Sequence, residues 1–250
     1  MAERDPGPPL RVLALYPDLM NIYADRGNLT VLERRCAWRG IGFELTGAGI
    51  GDEVDPEAHD LLYLGGGQDR DQALCAQDLA TVKRDAVHAA ADRGTAILAV
   101  CGGYQLLGHG YAMGAERLPG VGLVDLETVR SNGPRLIGNV AIEVELPGLD
   151  GPRTLAGFEN HAGRTHLGVG EQPLGRVLSG HGNDGAGGHE GVRRGNIIGT
   201  YLHGPLLPKN TWFADWLIAT ATGRASATLE ALDDRLELGA HASARRAAGV

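Results

Sequence analysis

Short apolar runs alternate with amphipathic segments over the first hundred residues of the chain. The apolar runs predict strands at Arg11–Tyr16, Phe43–Thr46, Asp60–Leu64 and Ala96–Val100. Helical spacing predicts one helix that Asn28 caps and Arg39 ends, and another that Asp78 caps and that ends before Gly94. Strands that alternate with helices are typical of βαβ units. The pattern therefore predicts an α/β fold with a mostly parallel sheet flanked by helices.

The pattern changes after about residue 120, where helices no longer separate the apolar runs. Further strands are predicted at Leu123–Val129, Ile137–Val144, Arg176–Leu178 and Asn196–Leu202. The glycine-rich residues 180–195 predict a surface loop or hairpin, and a helix is predicted from Asn210 to about Thr220. These strands indicate an antiparallel or mixed addition to the parallel sheet.

The C-terminal tail has Leu229, Leu232 and Leu236 at helical spacing, followed by an Ala- and Arg-rich stretch that is expected to fray. The predicted helix either packs on its own domain or docks onto a partner, and the spacing favours neither alternative. Since no clear linker is visible, the sequence predicts one domain over residues 10–222 and a helical tail over residues 223–250.

Composition restricts the classes of protein that fit this pattern. Hydrophobic residues make up 43% and charged residues 22% of the chain, which is typical of a soluble globular protein. The net charge of −8 argues against a general affinity for nucleic acid. No apolar run approaches the ~20 residues that span a bilayer. The polar, proline-rich Met1–Pro9 segment lacks the apolar stretch of a signal peptide.

The three cysteines are Cys36, Cys75 and Cys101, and their odd number and wide spacing argue against a disulfide framework or a thiolate zinc site. This usage predicts a reducing, cytoplasmic compartment. Cys36 falls on the apolar face of the first helix and is predicted to be core, and Cys75 is predicted to be structural.

Cys101 lies between the strand Ala96–Val100 and the start of a predicted helix. A nucleophile at such a turn needs small neighbours, which Gly102 and Gly103 provide. The dipole at the helix N-terminus would favour the thiolate over the thiol. The sequence therefore predicts a nucleophilic cysteine, and the alternative is a buried structural cysteine that ends a strand.

Two further motifs provide groups that a cysteine nucleophile requires. His203 follows the strand Asn196–Leu202 and can reach the same sheet edge as Cys101, where it would act as the general base. The run Gly65–Gly67 follows another strand, and its backbone N–H groups could bind an oxyanion together with that of Gly102. A phosphate cradle or a plain turn is the alternative, although no Gly-Lys-Ser/Thr ending supports a nucleotide P-loop.

The remaining histidines do not predict a metal centre. His161 and His166 lack the helical His-Glu-x-x-His arrangement, and His181 and His189 lie in the glycine-rich stretch and are expected to be exposed. The sequence therefore predicts neither a metal nor a cofactor.

Three motifs in this order resemble those of class I, triad-type glutamine amidotransferases of the cobyric-acid-synthase-like branch: Leu64-Gly-Gly-Gly67, Ala99-Val-Cys-Gly-Gly-Tyr-Gln105 and Tyr201-Leu-His-Gly-Pro205. A longer set is similar to the GatD-type subunits of lipid II isoglutaminyl synthases: Tyr16-Pro-Asp-Leu-Met-Asn-Ile-Tyr-Ala-Asp-Arg-Gly-Asn28, Val100-Cys-Gly-Gly-Tyr-Gln-Leu-Leu-Gly108, Arg135-Leu-Ile-Gly-Asn139 and Phe158-Glu-Asn-His-Ala-Gly-Arg164. The resemblance covers roughly residues 10–222 and implies the flavodoxin-like amidotransferase fold.

The resemblance also implies roles for individual residues. Cys101 would be the nucleophile, and His203 the general base. Gly66 and Gly102 would be oxyanion donors, although which loop glycine contributes stays open. The two substrate-binding positions would be Arg135, which holds the glutamine carboxylate, and Gln105, which lines the pocket. The alternatives are a surface arginine for the first and helix-face packing for the second.

The implied activity is hydrolysis of L-glutamine in peptidoglycan synthesis. The ammonia would pass to a MurT-type, Mur-ligase-like subunit that binds ATP and amidates D-glutamate of lipid II to D-isoglutamine. A second subunit is needed because this chain shows no ATP-binding motif. One rival is an amidotransferase subunit of another pathway, such as corrinoid amidation, whose enzymes usually fuse a synthetase domain. The other is a non-catalytic glutamine-binding scaffold, against which an intact Cys101 and His203 argue.

The chain departs from many amidotransferases two residues after the histidine. Those enzymes carry a glutamate there that orients the imidazole, whereas this chain has Pro205. An imidazole without its orienting acceptor can adopt the wrong tautomer, at a large cost in rate. The resemblance implies that the MurT-type partner supplies an aspartate instead.

Overall fold

The structure is a computed structural model that describes residues 7–22, 25–225 and 228–250. Tyr23 and Ala24 of the N-terminal motif, Ser226 of the predicted tail and most of the Met1–Pro9 segment lie outside the described residues. The described strands, β1 to β14 in chain order, are Leu10–Leu15, Phe43–Ala48, Leu61–Leu64, Ala96–Val100, Gly110–Met113, Glu116–Pro119, Leu126–Arg130, Leu136–Val144, Arg153–His161, Gly163–Leu167, Gly175–Ser179, His189–Glu190, Val192–Arg194 and Ile197–Thr200. The described helices, α1 to α6, are Arg26–Trp38, Asp69–Thr81, Arg84–Asp92, Gly102–Leu106, Thr211–Ala221 and Arg235–Ala248.

The apolar runs of the first half form the centre of the main sheet. Strands β3 and β4 are buried at every position, as expected for continuous apolar strands covered on both faces. The described residues place six strands in the order β13-β14-β4-β3-β1-β2, in which β13 is antiparallel and the other neighbours are parallel. This confirms the predicted α/β fold. Register pairs Leu64 with Ala99 and Val100 with Thr200, so that the carboxyl ends of β3, β4 and β14 lie side by side.

Two predicted helix caps are wrong. Asn28 lies inside α1, where its side-chain Oδ1 accepts a hydrogen bond from Leu207 N at 2.8 Å and its Nδ2 donates to a tyrosine hydroxyl. Asp78 lies inside α2, and the segment predicted as one helix is two, α2 and α3. Asp78 accepts hydrogen bonds from Lys83 Nζ at 2.5 Å and Tyr16 O–H at 2.7 Å. Short polar side chains suit caps, but here burial and distant partners decide their roles.

The interpretation of the two helix cysteines is confirmed. Cys36 in α1 and Cys75 in α2 have 0% of their surface exposed and form no disulfide. Burial raises the thiol pKa of both to about 12, which keeps them protonated.

The second half of the chain adds two smaller sheets. Within the described chain, their orders are β10-β7-β5-β6 and β12-β11-β8-β9. The predicted strands correspond to β7, β8, β11 and β14, whereas β5, β6, β9 and β10 were not predicted. The glycine-rich stretch contains the short strands β12 and β13. The sheet with β9 reaches the main sheet through Phe158, which exchanges two backbone hydrogen bonds with His203.

The tail helix packs on its own domain. Helix α6 begins after two of the predicted leucines, and the stretch that was expected to fray forms its body. Arg35 of α1 is buried and pairs with Asp215 of α5 and with Asp234, directly before α6. Further along α6, His241 Nδ1 lies 2.9 Å from the carbonyl oxygen of Lys209. No helix in the described part of the chain is both long and apolar enough to span a bilayer.

Candidate active site

Cys101 occupies a strained turn directly after β4. Its backbone has φ 52° and ψ −107°, a conformation that L-residues rarely adopt and that is typical of nucleophile elbows. Its N–H donates to Thr200 O at 2.8 Å, which extends the β4–β14 ladder into the turn. A Cβ on Gly103 would lie 2.5 Å from Leu64 O, so only glycine fits there. The predicted strand, elbow and helix start are therefore confirmed.

Burial opposes ionisation of the Cys101 thiol. Its pKa is raised to about 12, mainly by burial and in part by the charge of Asp25. The Gly102 N–H and the charge of Arg135 act in the opposite direction but do not outweigh burial. The helix-stabilised thiolate stays a prediction, and burial of the thiol acts against it. Helix α4 has five residues, and its dipole is small beside the cost of burying a charge.

His203 lies just beyond the end of β14. This strand pairs with β4, which leads to the cysteine. The residue is fully buried, and its ring meets that of Phe158 edge to face at 5.9 Å. Its pKa is lowered to about 4, mainly by burial and in part by the positive charges of Lys209 and Arg135. The imidazole is therefore neutral at pH 7. Because Arg135 lowers the pKa of both groups, His203 and Cys101 lie within its electrostatic reach.

The glycine loop after β3 lies against the cysteine turn. Gly103 N donates to Gly65 O at 3.1 Å, and Gly67 N is 3.1 Å from the position that a Cβ on Gly102 would occupy. The N–H of Gly66, which was assigned to the oxyanion, donates to Asp25 Oδ2 at 2.8 Å. The loop thus presents Gly67 beside Gly102, while Gly66 is directed elsewhere.

The two assigned substrate-binding residues differ in their surroundings. Gln105 is buried, its Oε1 accepts from Gln72 Nε2 at 2.8 Å, and its Nε2 donates to Tyr201 Oη at 3.2 Å. These contacts favour packing rather than substrate binding. Arg135 is exposed, and its Nε and Nη2 donate to the side-chain and backbone oxygens of Asn160 at 2.7 and 2.9 Å. Its guanidinium is therefore held in one orientation, and its charge acts on both Cys101 and His203.

His161, for which the sequence predicts no role, acts electrostatically on His203. Its ring stacks on that of Tyr201 at 3.6 Å, and its Nδ1 donates to Gly163 O at 2.8 Å. Its Nε2 lies 3.7 Å from a carboxylate oxygen of Glu159. The motif Phe158-Glu-Asn-His161 was the available signal. No group of three metal-ligating side chains is placed to hold a metal among the described residues.

An elbow cysteine, a histidine on the adjoining strand end and a glycine loop at one edge of a mostly parallel sheet are the arrangement of a class I glutamine amidotransferase domain, and the comparisons with known proteins agree. A model of the CobB/CobQ-like glutamine amidotransferase domain matches residues 11–211. The GatD subunit of the glutamine-hydrolysing lipid II isoglutaminyl synthase of Streptococcus pneumoniae is 36% identical, over 85% of this chain and 80% of its own. That of Staphylococcus aureus is 38% identical, over 86% of this chain and 85% of its own.

The solved structure of PurLQS from Thermotoga maritima has the same fold, with a TM-score of 0.56 and 20% identity over 78% of this chain and 87% of that one. The chain therefore belongs to the CobB/CobQ-like glutamine amidotransferases and, within them, to the GatD subunits of lipid II isoglutaminyl synthase.

Proposed function

We propose that this chain hydrolyses L-glutamine and delivers the ammonia to a MurT-type ligase subunit, which amidates D-glutamate of lipid II to D-isoglutamine. The observation that carries the proposal is Cys101 in an elbow turn, with His203 at the end of the adjacent strand. The GatD relatives, whose names state glutamine hydrolysis and lipid II, support the substrates. A reducing cytoplasm is the compartment that suits a catalytic thiol and a cytoplasmic ligase.

The proposed reaction uses these groups in a fixed order. The Cys101 thiol gives its proton to His203, and the sulfur attacks the side-chain carboxamide carbon of glutamine. The Gly67 and Gly102 N–H groups bind the oxyanion of the tetrahedral intermediate. His203 then protonates the departing ammonia, which leaves a γ-glutamyl thioester. Water, deprotonated by His203, cleaves the thioester to glutamate and regenerates the thiol.

The partner has a second proposed role, which concerns the imidazole. Pro205, in the position where many relatives carry glutamate, packs on α1: a Cβ on Gly27 would lie 2.7 Å from its Cγ. With its pKa lowered to about 4, His203 is a weak acceptor for the proton of a thiol whose pKa is about 12. A carboxylate from the partner would raise the His203 pKa and stabilise the imidazolium. We therefore propose that the heteromer, rather than the free chain, is the active glutaminase.

Isotope transfer tests the proposed function directly. The chain and its MurT-type partner would be combined with ATP, lipid II, glutamine labelled with ¹⁵N in the side-chain amide, and unlabelled ammonium. Labelled isoglutamine is expected, because ammonia passes from one subunit to the other. Ammonia release without lipid II amidation would instead indicate another acceptor pathway. No release from glutamine would indicate a binding scaffold and contradict the proposal.

Arg135 is proposed to hold the glutamine carboxylate. Its guanidinium is exposed and oriented by Asn160, and its charge acts on the cysteine, which suits a bidentate contact with a carboxylate. Arg135→Ala is expected to raise KM for glutamine about 10- to 100-fold, from the loss of a charged hydrogen bond, with a smaller change in kcat. Arg135→Lys keeps the charge but not the forked guanidinium. Its KM should lie between those of wild type and Arg135→Ala. Steady-state kinetics of the heteromer would show this.

The control for this prediction is Arg176→Ala, since Arg176 is exposed and pairs with Glu143 on the neighbouring strand. That variant should keep the wild-type KM. A fall in kcat at unchanged KM in Arg135→Ala would contradict the assignment.

A further inference from the structure

Asp25 is a buried carboxyl beside the cysteine that the proposed reaction does not use. It has 0% of its surface exposed, and its Oδ2 accepts the Gly66 N–H at 2.8 Å. Its Oδ1 is buried and makes no hydrogen bond with the part of the chain that the structure describes. A Cβ on Gly66 would lie 3.3 Å from Asp25 Oδ2 and 3.2 Å from Cys101 Cβ. The carboxyl thus borders both the glycine loop and the reactive turn.

The backbone of Asp25 is anchored independently of its side chain. Its carbonyl oxygen accepts hydrogen bonds from Asn28 N at 2.9 Å and from the Tyr63 hydroxyl at 3.2 Å. These contacts fix the residue to α1 and to the strand that leads into the glycine loop. The side chain therefore meets the loop from a backbone that these two hydrogen bonds hold in place.

The loop geometry shows what this contact can do. The carbonyl of Gly66 accepts a hydrogen bond from Ile22 N at 3.0 Å. In a trans peptide the C=O and the next N–H point in opposite directions, so the Gly67 N–H points away from Ile22. Gly67 N lies beside Gly102, on the cysteine side. The Asp25 contact holds the Gly65–Gly66 peptide, and the Ile22 contact holds the Gly66–Gly67 peptide. Together they fix the backbone on both sides of Gly66, and so the direction in which the Gly67 N–H is presented to an oxyanion.

We infer that Asp25 is a positioning residue for the oxyanion loop: its carboxyl holds the peptide before Gly66 and, together with the Ile22 contact on the peptide after it, keeps the Gly67 N–H aimed at the tetrahedral intermediate. The inference rests on the proposed glutaminase reaction. Burial raises the pKa of Asp25 to about 7, and its negative charge raises the pKa of the Cys101 thiol. The titratable groups on which its charge acts are that thiol and the Tyr63 hydroxyl. The carboxyl thus orders the loop at a cost in thiolate stability.

Two substitutions in the heteromer separate positioning from folding. Asp25→Asn keeps an oxygen that can accept the Gly66 N–H, so kcat for glutamine is expected to stay within about fivefold of wild type. Asp25→Ala removes the acceptor and is expected to lower kcat about 100-fold with KM nearly unchanged, which is the order of losing one oxyanion donor. Iodoacetamide alkylation of Cys101 needs no oxyanion donor, so both variants should react at least as fast as wild type.

Asp69→Ala is the matched control, because Asp69 also raises the Cys101 pKa but is exposed and pairs with Arg130. It should keep the wild-type kcat. Wild type and Cys101→Ala, assayed alongside, report on the glutaminase reaction itself, so a failure of the proposed function is not mistaken for a failure of this inference.

A spectroscopic measurement on the full chain does not depend on turnover. The ¹H–¹⁵N resonance of Gly66 should shift with pH around pH 7 in wild type and should not titrate there in Asp25→Asn. A wild-type kcat in Asp25→Ala would overturn the inference. Equal losses of kcat and of alkylation rate in Asp25→Ala would overturn it as well. So would a Gly66 resonance that titrates around pH 7 in Asp25→Asn as it does in wild type.

Discussion

Replacing Cys101 with alanine is expected to abolish lipid II amidation from glutamine while amidation from added ammonium continues. Without the sulfur no thioester forms, and removal of a catalytic nucleophile costs ~10⁴-fold or more in kcat. The ligase half of the reaction consumes ammonia whatever its source, so its rate at saturating ammonium should match that of wild type. Product formation from each nitrogen donor is measured with the same heteromer preparation. The ratio of glutamine-dependent to ammonium-dependent product then tests the prediction.

The control for this prediction is Cys75→Ala. This change removes a buried thiol of α2 whose pKa is raised and which has no role in the proposed reaction. It should retain both activities, and a glutamine-mimicking electrophile should label Cys101 in this variant, as shown by peptide mass mapping. Glutamine-dependent product from Cys101→Ala, in an assembled heteromer, would contradict the nucleophile assignment.

The central sheet was predictable because its strands carry their own signal. Strands β3 and β4 are apolar at every position, so their burial on both faces is visible in the sequence. Strands β5 and β6 are short and partly exposed, and β9 alternates irregularly, so their pairing partners rather than their composition define them. Asn28 and Asp78 were misassigned as caps because their partners lie 179 and 62 residues away.

The candidate site also has features that the sequence predicts and features that only the folded chain shows. Cys101 and His203 were predictable because each follows an apolar strand and parallel strands end at one edge. The ionisation of the two groups was not, because it depends on burial that only the folded chain creates. The contact of Asp25 with Gly66 spans 41 residues and joins a side chain to a backbone N–H, which leaves no pattern in the sequence.

The ionisation of these two groups suggests a resting state for the free chain. A thiol with a pKa of about 12 keeps its proton at pH 7, and an imidazole with a pKa of about 4 is too weak a base to take it. Glutamine hydrolysis would then be slow until the partner changes the electrostatics. Such coupling would prevent the release of ammonia where no ligase is present to use it.

His203→Gln is expected to lower kcat/KM of the heteromer by about 10²- to 10⁴-fold, since glutamine can neither accept the thiol proton nor donate one to ammonia. His166→Gln is the control, because His166 is exposed on β10. It should leave kcat/KM unchanged. An equal loss in both variants would point to a general effect on the protein rather than to His203.

The pH dependence of Cys101 alkylation tests the role of the partner. The thiolate is the form that reacts, so in the free chain the rate should rise with pH towards the thiol pKa of about 12. The His203 ring, whose pKa is lowered to about 4, is neutral over that range and does not stabilise the thiolate. A partner carboxylate would stabilise the protonated ring, which in turn would stabilise the thiolate, so the rise should move to lower pH and the rate at pH 7 should increase on assembly. Identical profiles for the free chain and the heteromer would rule out a carboxylate supplied by the partner, because a charge placed against the imidazole cannot leave its pKa unchanged.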